Sequence, residues 1–258
     1  RQRQMCIRDS HTVTVTGVND SDKDGHRKYR VGVSAEVTKI NPPDYWELSP
    51  WSNTGTSSYF DLQGAAYGND ILVAVAKMGN ILYSANFGAT LLGGHINPPT
   101  NKNFQSVAFG NNVFSAVGND GKIIISQDGF NWYDVVNPNS GGSRFNDIHF
   151  GNNIFVAVGN NGTILNSVDG GQTWANRSIP NGPKLNGISS KDNMLVAVGD
   201  GGSIVTSQDS ISWTVQMSGT NKDLNDVVFG DNTIVVVGQN GTILTSVDGG
   251  QTWNTQDS

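Results

Sequence analysis

The stretch FNDIHFGNNIFVAVGNNGTILNSVDGGQTW, residues Phe145–Trp174, decides how this chain folds. Its opening segment, Phe145–Phe150, ends at Gly151-Asn152-Asn153, a turn composition. Ile154–Val158 is continuously apolar and rich in β-branched residues, the pattern of a strand covered on both faces. Asn161-Gly162 then supplies the positive φ angles that a type I′ hairpin demands. Thr163–Ser167 reads as a third strand and leads into SVDGGQTW, and a fourth strand is expected to begin at Trp174.

Four sister segments carry the same pattern. They open at Leu62, Phe104, Leu185 and Leu224, so that with Phe145 the steps are 42, 41, 40 and 39 residues. Asp120-Gly121 and Asn240-Gly241 repeat the two-residue turn. Four short antiparallel strands recurring every 40-odd residues predict an all-β chain, a β-propeller of about five four-stranded blades. Each blade has two apolar faces that only stacking against neighbours can bury. No helical periodicity competes.

The phrase SVDGGQTW returns intact at Ser246–Trp253. Versions one residue shorter stand at Ser126–Trp132 (SQDGFNW) and Ser207–Trp213 (SQDSISW), and Ser84–Leu91 (SANFGATL) lacks both aspartate and tryptophan. The pattern Ser-x-Asp-x-Gly-x-Thr-Trp resembles the Asp-box, or BNR repeat. Its aspartates, Asp128, Asp169, Asp209 and Asp248, sit where a carboxylate can accept N–H bonds within its own turn. Gly171 and Gly250 permit left-handed geometry, and Trp132, Trp174, Trp213 and Trp253 offer large rings to pack between sheets. One active site has no need of four scattered copies, so these residues are expected to build the scaffold.

The propeller region is expected to span residues 46–258. Trp51, Trp174 and Trp213 each precede the opening leucine of the next unit by 11 residues, so Trp51 is expected to begin a fourth strand without its three partners. That surplus strand suggests a truncated ring; a five-bladed ring clasped by it is the alternative.

The N-terminal stretch has a different character. Gln4–Ser10, QMCIRDS, resembles a translated sequencing adapter, and residues 1–10 are expected to be non-native. Thr12–Thr16 alternates as a strand and Tyr29–Val37 reads as a second. With the acidic turn between them, residues 11–45 resemble the C-terminal part of a Calx-β-like domain of bacterial surface proteins, a β-sandwich remnant. Asp20, Asp22 and Asp24 before Gly25 match the opening of a calcium loop, D-x-D-x-D-G. Loop position 12 carries Val31 instead of glutamate. Calcium is thus one reading, and a solvated acidic hairpin loop is the other.

Composition excludes several classes. The longest apolar runs fall short of the roughly 20 residues of a membrane helix. A formal net charge of −6 with few arginines argues against nucleic acid. Cys6 is the sole cysteine, and His11, His26, His95 and His149 lack metal-ligand spacing. Asp-box repeats occur in sialidases, a resemblance that implies an arginine cluster, a tyrosine nucleophile and a glutamate. Only Arg144 and Arg177 lie in the repeats, the glutamates are Glu36 and Glu47, and no tyrosine follows Tyr133. Asp147 and Asp226, equivalent residues of first strands two blades apart, are explained by the repeat itself.

One feature exceeds scaffolding. Lys102, Arg144, Lys184 and Lys222 each fall just before a first strand, the strand that lines a propeller's channel. They are expected to ring one mouth of that channel and attract an anionic glycan or a carboxylate-rich protein segment. The leading expectation is a non-enzymatic binding or adhesion module of a secreted or cell-surface bacterial protein. The alternatives are a sialidase-like glycoside hydrolase with missing catalytic blades, and a propeller like the photosystem II assembly factors.

Overall fold

The computed structural model describes the backbone of Gln2–Ile7, His11–Thr16 and Gly32–Ala35, and residues 61–256 except 87, 89, 140 and 141. The chain divides into two units, Arg1–Pro50 and Trp51–Ser258. In the first, His11–Thr16 is the middle strand of three. Gln2–Ile7 and Gly32–Ala35 flank it, both antiparallel, with Val13 opposite Ala35 and Met5. Asp20, Asp22, Asp24 and Trp51, and with them the expected calcium loop and surplus strand, lie outside the described residues.

The second unit is a β-propeller with five blades among the described residues. Blade 3 shows how the local sequence dictates each strand. Phe145–Gly151 runs antiparallel to Ile154–Gly159, which pairs with Ile164–Ser167, and that with Ala175–Asn176. Both tight hairpins are two-residue loops with positive φ throughout: 52° and 66° at Asn152 and Asn153, 55° and 68° at Asn161 and Gly162. Asparagine and glycine adopt this left-handed region at little cost, and its twist suits paired strands. The fourth strand begins one residue beyond Trp174, whose ring is held inward by core packing.

The other blades repeat this order. Blade 1 comprises Leu62–Gly68, Ile71–Ala76, Ile81–Ser84 and Leu92–Gly93. Blade 2 comprises Phe104–Gly110, Val113–Gly118, Ile123–Ser126 and Asn131–Asp134. Blade 4 comprises Leu185–Lys191, Met194–Gly199, Ile204–Ser207 and Thr214–Gln216. Blade 5 comprises Leu224–Phe229, Ile234–Gly238, Ile243–Ser246 and Asn254–Thr255. Blade 2 departs from the expected four strands by adding a fifth, His95–Asn97, on its outer edge.

The core lies between blades. On the second strand of blade 3, Phe155 and Ala157 face Val117 and Ile123 of blade 2, whereas Val156 and Val158 face Ile188, Leu195 and Ala197 of blade 4. Alternation along one strand therefore feeds two cores, which is why that strand is apolar throughout. The first strands of successive blades are neighbours and interlock. A side chain at Gly68 would strike the ring of Phe109, and one at Gly110 the ring of Phe150, at 2.1 Å in each case. The first strands of blades 1 and 2 thus end in a glycine socket for the aromatic residue of the next blade.

Candidate functional site

The first strands bring one row of residues together across the blades. The third residue of each is Gly64, Ser106, Asp147, Gly187 or Asp226. Asp147 ties three blades. Its Oδ1 accepts from Ser106 Oγ of blade 2 at 2.8 Å and from its neighbour Ile148 N–H at 2.8 Å. Its Oδ2 accepts from Ile188 N–H of blade 4 at 3.0 Å. Burial raises its carboxyl to about 6, against the lowering effect of those donors and helped by the charge of Asp226. Repeat periodicity explains where Asp147 sits, but not this convergence, which joins residues 41 positions apart on either side.

Two residues further along, the Nε2 of His149 meets Ser190 Oγ of blade 4 at 2.9 Å. Burial holds this imidazole well below its usual range, at about 4, so it is neutral at ordinary pH. It is thus a half-buried residue held by Ser190, and among the described residues no carboxylate is hydrogen-bonded to it.

The four cations lie at one end of the blades, where the second-to-third-strand turns also lie, Arg144 and Lys184 one residue before their first strands and Lys102 and Lys222 two. The carbonyls of Arg144 and Lys184 accept N–H bonds from Asn160 and Asp200 of those turns. Their side chains differ in what they meet. Lys102 Nζ pairs with Asp120 at 2.5 Å and Lys184 Nζ with Asp200 at 3.4 Å, each within its own blade. Arg144 donates to Gln105 Oε1 on blade 2 at 2.6 Å. Lys222 is exposed, and its backbone N–H donates to Thr220 Oγ1. Two of the four charges are therefore largely compensated by exposed ion pairs.

The Ser-x-Asp phrases close the third-to-fourth-strand turns at the opposite end. In blade 3, Ser167 Oγ donates to Asp169 Oδ1 at 2.8 Å and accepts from Gly171 N–H at 2.9 Å. Thr173 donates its N–H and its hydroxyl to Asp169 at 2.9 and 2.5 Å, and Trp174 Nε1 donates to Gly171 O at 3.0 Å. Asp248 repeats this with Ser246 and Thr252, whose bonds hold its carboxyl at about 2. In blade 2, Asp128 accepts from Ser126, Phe130 and Asn131, and Trp132 Nε1 donates to Gly129 O. In blade 4, Asp209 accepts from Ser207, Ile211 and Ser212. Trp213 Nε1 is buried and has no hydrogen-bond partner among the described residues.

Blade 1 explains what these turns require. Its phrase has Asn86 where aspartate is expected, yet Asn86 Oδ1 accepts from Ser84 Oγ and Thr90 N–H, and Gly88 N–H donates to Ser84 Oγ. An oxygen acceptor suffices and charge is dispensable, which an acid–base group could not tolerate.

Among the described residues no cluster of three or more histidine, cysteine, aspartate or glutamate side chains could hold a metal. Arg177, one of the two arginines of the repeats, donates Nε to Asn166 Oδ1 within its own blade at 3.2 Å, whereas Arg144 reaches Gln105. Arg144 therefore bridges blades 2 and 3, and Arg177 stays within blade 3.

No family model matches the chain, and no curated protein matches it. Solved structures do. The chain is similar to YCF48 bound to a D1 peptide, at 19% identity and TM-score 0.62, over 95% of this chain and 76% of that one. It is similar to YCF48 from Cyanidioschyzon merolae, at 14% identity and TM-score 0.62, over 99% and 88%. It is also similar to the computationally designed protein Ika8, at 16% identity and TM-score 0.66, over 98% and 73%. At these identities the likeness establishes the β-propeller fold.

Proposed function

We propose that the five-bladed unit is a non-enzymatic, protein-binding propeller closer to the assembly-factor reading than to a glycan-binding adhesin. The observation that carries this is the likeness to YCF48, a propeller solved with a D1 peptide bound. The Asp-box reading of the turn phrases belongs to the same proposal, since their hydrogen bonds stay within the turn. The docking face in this reading is the end that carries Lys102, Arg144, Lys184 and Lys222, with Arg144 and Lys222 free of acidic partners among the described residues. A carboxylate-bearing segment could also exchange for Asp120 or Asp200, because both ion pairs are exposed. A surface adhesin is the second reading, favoured by the Calx-β-like pattern of residues 11–45.

Titration of the full chain with a carboxylate-terminated peptide panel and with sialyllactose separates these. The assembly-factor reading expects peptide binding that weakens with salt and falls at least about tenfold when all four cations become alanine. Binding of sialyllactose without peptide would favour the adhesin, and hydrolysis of a fluorogenic sialoside would return the chain to the glycosidases.

A further inference from the structure

Among the described residues, blade 2 is the only blade with a strand added to its outer edge. His95–Asn97 runs parallel to the outermost strand, with His95, Ile96 and Asn97 opposite Asn131, Trp132 and Tyr133. The segment sits in the wedge between blades 1 and 2. His95 N–H donates to Phe130 O at 2.7 Å, and Gly94 N–H to Ile81 O of blade 1 at 2.8 Å. Ile96 is 8% exposed and packs in one core with Trp132.

The next wedge holds no such strand: Val136 and Pro138, the register counterparts of His95 and Asn97, stay on blade 2 and line it. Counted back from the tryptophan, Gln172, Thr173 and Trp174 correspond to Phe130, Asn131 and Trp132. They face Ile125, Val135 and Val136 of blade 2 across an open groove of about 490 Å³. Val136 is 86% exposed. The outermost strand there, Ala175–Asn176, is paired on one side alone. No hydrogen bond among the described residues reaches the Gln172 carbonyl, the counterpart of the acceptor that holds His95. Asp134, the one charged group lining the groove, is paired with Lys122 at 2.5 Å. An open backbone edge beside an uncompensated apolar wall is a template for strand addition.

We propose that the wedge between blades 2 and 3 captures an extended, uncharged segment of a partner protein, added as a parallel strand along Thr173–Ala175 with a branched aliphatic side chain over Trp174. The occupant's chemistry follows from His95-Ile96-Asn97, which fills the equivalent wedge one blade earlier. The site lies along the outermost strands and does not depend on the function proposed for the cation-bearing end.

The test uses the full chain and a fluorescein-labelled peptide copying residues 93–99, GGHINPP, read by anisotropy and by amide hydrogen exchange. The expected result is saturable binding that slows exchange at Thr173–Ala175. It weakens at least about tenfold with Ile96→Asn in the peptide, and likewise with Val136→Glu in the protein. Val136 is exposed, so the second substitution spares the fold, which tryptophan fluorescence verifies. Absence of saturable binding at millimolar peptide overturns the proposal, as does indifference to either substitution. Slowed exchange at Asn131–Tyr133 instead places the peptide in the first wedge and also overturns it. Protection that appears with rising protein concentration and no peptide assigns the edge to a second copy, and overturns it too.

Discussion

His149 and Ser190 meet at 2.9 Å across the junction of blades 3 and 4, where the two preceding junctions seat a phenylalanine over a glycine. The socket glycine, Gly151, is still present, and a Cβ there would lie 2.0 Å from Ser190 Oγ and 3.1 Å from His149 Nε2. The pair therefore fills, with a polar contact, the volume that Phe109 and Phe150 fill elsewhere.

Restoring the aromatic residue should succeed only if the histidine leaves. Ser190→Phe alone is expected to destabilise by about 1–3 kcal/mol through overpacking. His149→Ala combined with Ser190→Phe is expected to recover most of that loss. Urea denaturation of the wild type, the two single variants and the double variant gives the coupling directly.

Acid should act on two neighbouring groups in opposite senses. His149 is held near 4 when folded and near 6.5 when unfolded, so the unfolded chain binds the extra proton and stability falls as pH drops from 6.5 to 4. Asp147 is raised to about 6 from 3.8, so here the folded chain binds the extra proton and stability rises as pH drops from 6 to 4. The wild type is expected to show a shallow slope in this window. Asp147→Asn should steepen the loss toward acid, and the His149→Ala/Ser190→Phe protein should reverse it. Denaturation midpoints at pH 4, 5, 6 and 7 read both signs.

The long and short turn phrases should respond differently to the same substitution. Ser167 and Ser126 are both about 2% exposed, yet only Ser167 also accepts the Gly171 N–H. Ser167→Ala leaves that buried donor unmatched and is expected to cost about 1–2 kcal/mol more than Ser126→Ala. Equal losses in thermal unfolding would contradict this.

Tryptophan replacement should separate a satisfied ring from an unsatisfied one. Trp174→Phe removes a bonded indole and is expected to destabilise by about 1–3 kcal/mol. Trp213→Phe removes a buried donor without an acceptor, so the lost ring volume is offset and the change should fall below about 1 kcal/mol. Both are read from guanidinium midpoints.

Local chemistry is what the chain makes legible. Asn161-Gly162 announces a left-handed pair because few other dipeptides hold one, and both φ values are positive. The five opening residues announce five sheets because repeats preserve spacing. The parallel strand His95–Asn97 carries no such signal, since three residues have no periodicity and its partner lies 36 positions away. Asp147 is visible as a repeated carboxylate but not as a tie among three blades, because its partners are far in sequence. Asn86 escapes the pattern because the phrase is read by its aspartate, whereas the amide oxygen of Asn86 accepts the same turn bonds.

The socket arrangement bears on how such a chain can lengthen. Each first strand of blades 1 and 2 ends in a glycine that receives its successor's aromatic residue, and blades 2 and 3 supply that residue to their predecessor. A gene duplication copying one whole unit would insert a piece with both halves of the joint, matched to the blades on either side. Copying half a unit would leave a ring without a hollow or a hollow without a ring. Growth by whole blades is thus the step that this packing makes cheap, and the His149–Ser190 junction is the place where the two halves follow a different pattern.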